Sequence, residues 1–111
     1  MEILFKTRKL QERISAKAEL VREYGKENAK MIMRRMLVLQ AAECLADVPR
    51  RPPDRCHALS GKRKGQYAVD VKHPYRIIME PTTAPLPLLD DGSIDLGRVM
   101  SIRILCVEDY H

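Results

Sequence analysis

No run in the sequence approaches the ~20 uninterrupted apolar residues that cross a bilayer, which excludes a transmembrane helix. The opening residues Met1 to Lys6 are too few and too charged to form the apolar core of a secretory leader. Cysteine is scarce and odd in number. Cys44, Cys56 and Cys106 cannot all pair within one chain, and none lies in a Cys-x-x-Cys. They read as reduced thiols, so a cytoplasmic location is expected. The spacing of Cys56, His57, Cys106 and His111 matches no zinc signature, and no metal or other cofactor is expected. Cys56 beside cations suggests an activated thiolate, but a plain reduced cysteine is the better reading. What is present is 111 residues, 45% hydrophobic and 32% charged. That is too apolar for a disordered tail, too charged for a membrane protein, and the size of one domain spanning 1–111.

The net charge of +5 is unevenly placed. Residues 50 to 76 carry eight basic side chains (Arg50, Arg51, Arg55, Lys62, Arg63, Lys64, Lys72 and Arg76) against Asp54 and Asp70. The rest of the chain is close to neutral. A solvated face mixes its signs, whereas a one-sign concentration points to a polyanion, most often phosphate. Arg50 and Arg51, beside Pro52-Pro53, either touch such a phosphate or solvate a linker.

Two periodicities divide the chain. A short strand is expected at Glu2 to Phe5. From Thr7 the apolar residues Leu10, Ile14, Ala18, Val21 and Tyr24 recur at helical spacing, with Thr7 as cap and Gly25 as stop. A second helix begins near Lys26, with Ala29, Ile32, Met33, Met36, Leu37 and Leu39 on its apolar stripe and Lys30, Arg34 and Arg35 on its polar face. Two such helices joined by one or two residues form an antiparallel hairpin. Glu43 to Asp47 continues as a short helical turn, ended by Pro49 and Pro52-Pro53. Beyond the prolines the period becomes two. Gln66 to Lys72 and Tyr75 to Glu80 form a β-hairpin about His73-Pro74, and Ser101 to Val107 is a nearly continuous apolar strand suited to the sheet centre. Pro81 to Gly97 is long for a loop and reads as a surface insertion rather than a partner contact. The expected fold is α+β, a helical hairpin packed on one face of a small antiparallel sheet, with Arg76 on the open face.

Two segments carry chemistry. In His57-Ala58-Leu59-Ser60-Gly61-Lys62-Arg63-Lys64-Gly65-Gln66-Tyr67, a histidine and three successive cations are interleaved with glycines that admit close backbone approach. The last four residues, Glu108-Asp109-Tyr110-His111, set carboxylates, a phenol and an imidazole at the end of a strand. By composition alone the second segment reads as a solvated end.

His57-x-Leu59-x-Gly61, then Gly65-x-Tyr67, Tyr75-Arg76-Ile77-Ile78 and the terminal Glu-Asp-Tyr-His together resemble the RelE/ParE toxin superfamily. The likeness is to its HigB-type branch, the plasmid-maintenance killer proteins, and it covers nearly the whole chain in element order. It implies a RelE-like fold and the toxin of a toxin–antitoxin pair, an endoribonuclease that cuts mRNA on the translating ribosome and halts growth. It also implies a neutralising helix-turn-helix antitoxin (HigA-like), with operator DNA reached only through that antitoxin. By this likeness His57, Asp109, Tyr110 and His111 form the catalytic group and Arg76 clamps the phosphate, although Tyr110 could equally be a structural aromatic at the sheet edge. From the clustered charge, Arg55, Lys62, Arg63, Lys64 and Lys72 are expected to contact RNA.

Metal-independent cleavage of this kind uses the RNA's own 2′-hydroxyl against the adjacent phosphorus, and it needs a base, an acid and a charge stabiliser. Imidazole suits the proton transfers and a planar guanidinium suits the phosphate. Sequence alone does not decide which histidine is the base. If His111 is the last residue, its α-carboxylate and Asp109 favour its imidazolium, which assigns His111 as acid and leaves His57 as base. Ser60 stands where HigB-type sequences commonly have lysine, so a phosphate contact is either missing or supplied by Lys62, Arg63 or Lys64. The alternatives are a toxin of the same fold that acts by binding, as gyrase poisons do, and a co-repressor working with its antitoxin.

Overall fold

The computed structural model describes residues 1–109, so Tyr110 and His111 lie outside the described residues. The described residues are α+β, with three α-helices and a five-stranded mixed sheet. In chain order the elements are β1 (Glu2–Phe5), α1 (Arg8–Ile14), α2 (Lys17–Tyr24), α3 (Lys26–Ala41), β2 (His57–Ala58), β3 (Tyr67–Asp70), β4 (Tyr75–Pro81) and β5 (Ser101–Asp109). Among the described residues, no helix is long and apolar enough to cross a membrane.

The helical layer departs from the expected pair. Thr7 caps α1 as foreseen, its hydroxyl accepting from the Leu10 amide at 3.1 Å. The helix then breaks at Ser15 and Ala16, where Ala16 is extended. Ile14 and Leu20 are both buried, yet on one straight helix they would project about 120° apart. The break lets both enter the same core. Gly25, at φ 87°, ends α2 and opens α3, and the two helices pack against each other. On α3 the buried residues are Asn28, Ala29, Ile32, Arg35, Met36 and Leu39. The expected stripe is therefore rotated. Met33 and Leu37 are exposed instead, on a groove of about 390 Å³ flanked by Lys17, Lys26, Lys30 and Arg34.

The sheet order is β1-β5-β4-β3-β2. The expectation of an all-antiparallel sheet is corrected: β1 runs parallel to β5, from Glu2 opposite Ser101 to Phe5 opposite Ile104. Parallel neighbours need a long crossover, and almost the entire chain lies between these two. The β3–β4 hairpin is as expected, and β5 is an interior strand between β1 and β4, although β4 and not β5 is the central one. Tyr67, Val69, Val71, Ile77, Met79, Ile102 and Ile104 face the helices and form one core with Ile14, Leu20, Ile32 and Leu39.

One irregularity in β5 fixes what the other face carries. Ile104 lies opposite Met79 and Cys106 opposite Ile78, so Leu105 is an extra, bulged residue. Because side chains alternate strictly, one inserted residue exchanges the two faces. Without the bulge Cys106 and Glu108 would follow Ile102 and Ile104 towards the helices. With it they stand beside Ile78 and Arg76.

The Pro81–Gly97 segment is a folded excursion. Leu88 bridges Ile94, the Leu89 amide donates to the Ser93 carbonyl at 2.8 Å, and the chain returns through a 3₁₀ turn at Leu96–Arg98 to the buried Val99.

Candidate functional site

Register places two rows of side chains on the face away from the helices. One runs His57, Ala68, Ile78, Cys106 across β2, β3, β4 and β5, and the next runs Asp70, Arg76, Glu108. This face is less open than the sequence suggests, since Ala68 and Ile78 are buried at its centre. The β2–β3 connection leaves the sheet at the Glu80 end, where the Leu59 amide donates to the Gln66 carbonyl at 2.9 Å. Even so, Arg63 of that connection reaches Glu108, which sits opposite Arg76 at the other end. The basic loop therefore doubles back over the face.

Glu108 is the convergence point. Its Oε2 accepts from Arg63 Nη1 at 2.7 Å and from Arg76 Nη2 at 2.8 Å and Nε at 3.1 Å. Arg63 Nη2 lies 2.7 Å from Oε1. The hydrogen bond from Arg63, then that from Arg76, hold the Glu108 carboxyl below its ordinary range against the opposing effect of burial. Beside it, burial and then the Glu108 charge push the Cys106 thiol up, only partly offset by Arg63, Lys6 and Arg76. Cys56 is pushed up to about 11, chiefly by burial. Neither thiol is activated, which disposes of the thiolate reading.

A second device orients His57. Its Nδ1 lies 2.7 Å from the Arg55 carbonyl oxygen. A carbonyl can only accept, so Nδ1 carries the proton and neutral His57 keeps its lone pair on Nε2. Arg55 has φ 46°, a left-handed backbone that costs a non-glycine residue about 1–2 kcal/mol. That turn presents the carbonyl to His57 while the Arg55 guanidinium grips Asp70 in a fork, Nε to Oδ2 at 2.6 Å and Nη2 to Oδ1 at 3.1 Å.

Two residues that sequence reasoning did not assign hold this turn. Arg35, expected on the polar face of its helix, is buried. Its Nε donates to the Asp70 carbonyl at 2.7 Å and lies 3.5 Å from Asp54 Oδ1. Asp54 is buried beside it, and its backbone carbonyl accepts from the Asp70 amide at 2.8 Å. The pair ties α3, the 49–56 loop and β3 together immediately before His57. A signal was present, because Arg35 sits between Ile32 and Leu39 at the spacing of the apolar stripe.

The remaining expected site residues divide. His57, Arg76, Arg63 and Arg55 are brought to one face. Lys62 and Lys64 are exposed at the 3₁₀ turn Gly61–Arg63, with Ser60 as its N-terminal residue. Lys64 also lines a cavity of about 320 Å³ with Ala58, Leu59, Gly65 and Gly92. Lys72 is directed to the helical layer, where it pairs with Glu27 of α3. Asp109 lies opposite Tyr75, on the phase opposite to Glu108, at the exposed end of β5. Tyr110 and His111 fall outside the described residues. No protein-family model matches this chain, and no curated protein is significantly similar to it.

Proposed function

We propose that the chain is an endoribonuclease of RelE-like fold, the toxin of a toxin–antitoxin pair, that acts on mRNA in the translating ribosome. The observation that carries the reading is the hydrogen bond from His57 Nδ1 to the Arg55 carbonyl. It leaves Nε2 of a partly exposed imidazole ready to take a proton, on the same sheet face as two guanidiniums. Register sets the Cα atoms of His57 and Arg76 about 12 Å apart, two strands across and two residues along. Side chains of their lengths can close that gap on one sugar–phosphate unit.

In this reading His57 Nε2 removes the proton of the RNA 2′-hydroxyl as O2′ attacks the adjacent phosphorus. The O2′–P bond forms, the P–O5′ bond breaks, and a 2′,3′-cyclic phosphate is left. Arg76, with Arg63, takes the extra negative charge that develops on the phosphoryl oxygens. The departing 5′ oxygen needs a proton, the role assigned to His111 from the carboxylates expected beside it. Asp109 and Tyr110 keep the roles that the resemblance gives them, with Arg55, Lys62 and Lys64 along the RNA. A helix-turn-helix antitoxin would neutralise the protein.

Induced expression is expected to arrest growth and to create new 5′ ends within translated mRNA, mapped by sequencing. His57→Ala and Arg76→Ala should each lower cleavage by at least about 100-fold, the usual contribution of a general base or an oxyanion-type donor. If both variants arrest growth as the parent does, with no new 5′ ends in any of them, a toxin that acts by binding takes its place.

A further inference from the structure

From the convergence of two guanidiniums on one carboxylate, we infer that Arg63 and Arg76 form a seat for an RNA phosphate and that Glu108 occupies it in the free protein. The inference rests on the proposed reading of this face as an RNA surface.

Arg63 and Arg76 come from distant parts of the chain, a loop and a strand, and both direct their N–H groups at the Glu108 carboxylate at 2.7–3.1 Å. A carboxylate and a phosphodiester offer guanidinium the same thing, two anionic oxygens in a plane suited to a fork. The seat also has the right surroundings. Arg76 and Glu108 are mostly buried, with side chains 15% and 19% exposed, whereas Arg63 is 44% exposed. The seat thus opens towards solvent on the side of the basic loop, where a strand of RNA would arrive. The β5 bulge is what turns Glu108 into it.

An internal carboxylate in this position has two effects. It keeps two like charges together when no RNA is bound, which holds the loop over Ala68 and Ile78. It also competes with every incoming phosphate, so that RNA must displace Glu108 from both arginines before Arg76 can serve the scissile group. Weak binding of free RNA, and dependence on a ribosome that presents the strand, follow from that competition.

The test is binding of a fluorescent single-stranded 2′-O-methyl oligoribonucleotide, which lacks the nucleophilic hydroxyl and so cannot be cut, to the full-length protein. Glu108→Gln keeps the shape of the side chain and removes its charge. It should bind about tenfold more tightly than the parent and with a steeper salt dependence. Arg63→Ala and Arg76→Ala should bind more weakly than the parent. If the arginine variants weaken binding while Glu108→Gln binds no better than the parent, the occupied seat is wrong and the RNA surface stands. If neither arginine variant changes binding, or neither parent nor Glu108→Gln binds at all, the RNA surface falls with it. Thermal unfolding of Glu108→Gln at the parent's temperature within a few degrees shows that the comparison is between folded proteins.

Discussion

Removing the Asp54 carboxylate should be among the most damaging single changes to this fold. The side chains of Arg35 and Asp54 are 7% and 12% exposed, and Arg35 Nε stands 3.5 Å from Asp54 Oδ1. The Nε proton itself goes to the Asp70 carbonyl at 2.7 Å. Asp54 Oδ1 is left buried with no hydrogen-bond donor, so this is a charge pair rather than an ideal salt bridge. Its importance lies in what Asp54→Ala leaves behind, a guanidinium shut in the interior with no counter-charge. Breaking one side of a buried pair costs about 3–5 kcal/mol, and the imperfect contact here places the loss near 3. For a domain of this length that lowers Tm by about 12 °C, at about 4 °C per kcal/mol. Urea unfolding followed by circular dichroism gives the free energy, and a thermal scan gives Tm. The double variant Arg35→Met/Asp54→Ala should regain much of the loss, because an apolar side chain of similar length needs no counter-charge. If Asp54→Ala lies within 1 kcal/mol of the parent, or if the double variant is the less stable of the two, the buried charge is not what ties the 49–56 loop to β3. Any loosening should also reach His57, because the loop bears the Arg55 carbonyl that fixes its tautomer.

Two further outcomes follow from the titrating groups. Cys56, raised to about 11 by burial, should label slowly with iodoacetamide at pH 7.5 in the folded protein, because fewer than about one thiol in a thousand is then ionised. All three cysteines should label in denaturant, and mass spectrometry showing native Cys56 labelled as fast as in denaturant would refute the buried placement. Glu108 has a depressed folded-state pKa, so its stabilisation is fully present above the unfolded value of about 4.3 and is lost as pH falls through the lower folded value. Its solvent-screened contribution is about 1 kcal/mol. The stability difference between parent and Glu108→Gln should therefore be constant from pH 7 to pH 5 and shrink below pH 4. A difference that persists unchanged at pH 2 would mean that charge is not its source.

What could be read from the residues, and what could not, follows from how far apart the determining groups lie. Local signals served well. Thr7 caps a helix, Gly25 divides two, and the alternation on either side of His73-Pro74 makes a hairpin with Arg76 on the face away from the helices. Each of these is settled within a few residues. The break at Ser15 and Ala16 has no glycine or proline to announce it. It arises because Ile14 and Leu20 must reach one core, which is a tertiary demand. The parallel partner of β5 was equally hidden, because Glu2–Phe5 pairs with residues about a hundred positions away.

The site itself turns on the same distinction. His57 and Arg76 could be singled out in the sequence, but their surroundings could not. Arg35 follows the stripe of Ile32 and Leu39 yet reads as a polar-face cation until Asp54 is seen beside it. In β5 the run Ile104 to Val107 is so uniformly apolar that alternation cannot say which side its residues face. A single extra residue at Leu105 decides it, turning Glu108 onto Arg76 and leaving Asp109 on the phase of Tyr75. Moving that bulge would be a harder test of the site than removing any one side chain, because it would exchange the faces of Cys106 and Glu108 while leaving the composition untouched. The electrostatics of the sheet face are thus set by backbone register, and the arginines respond to it.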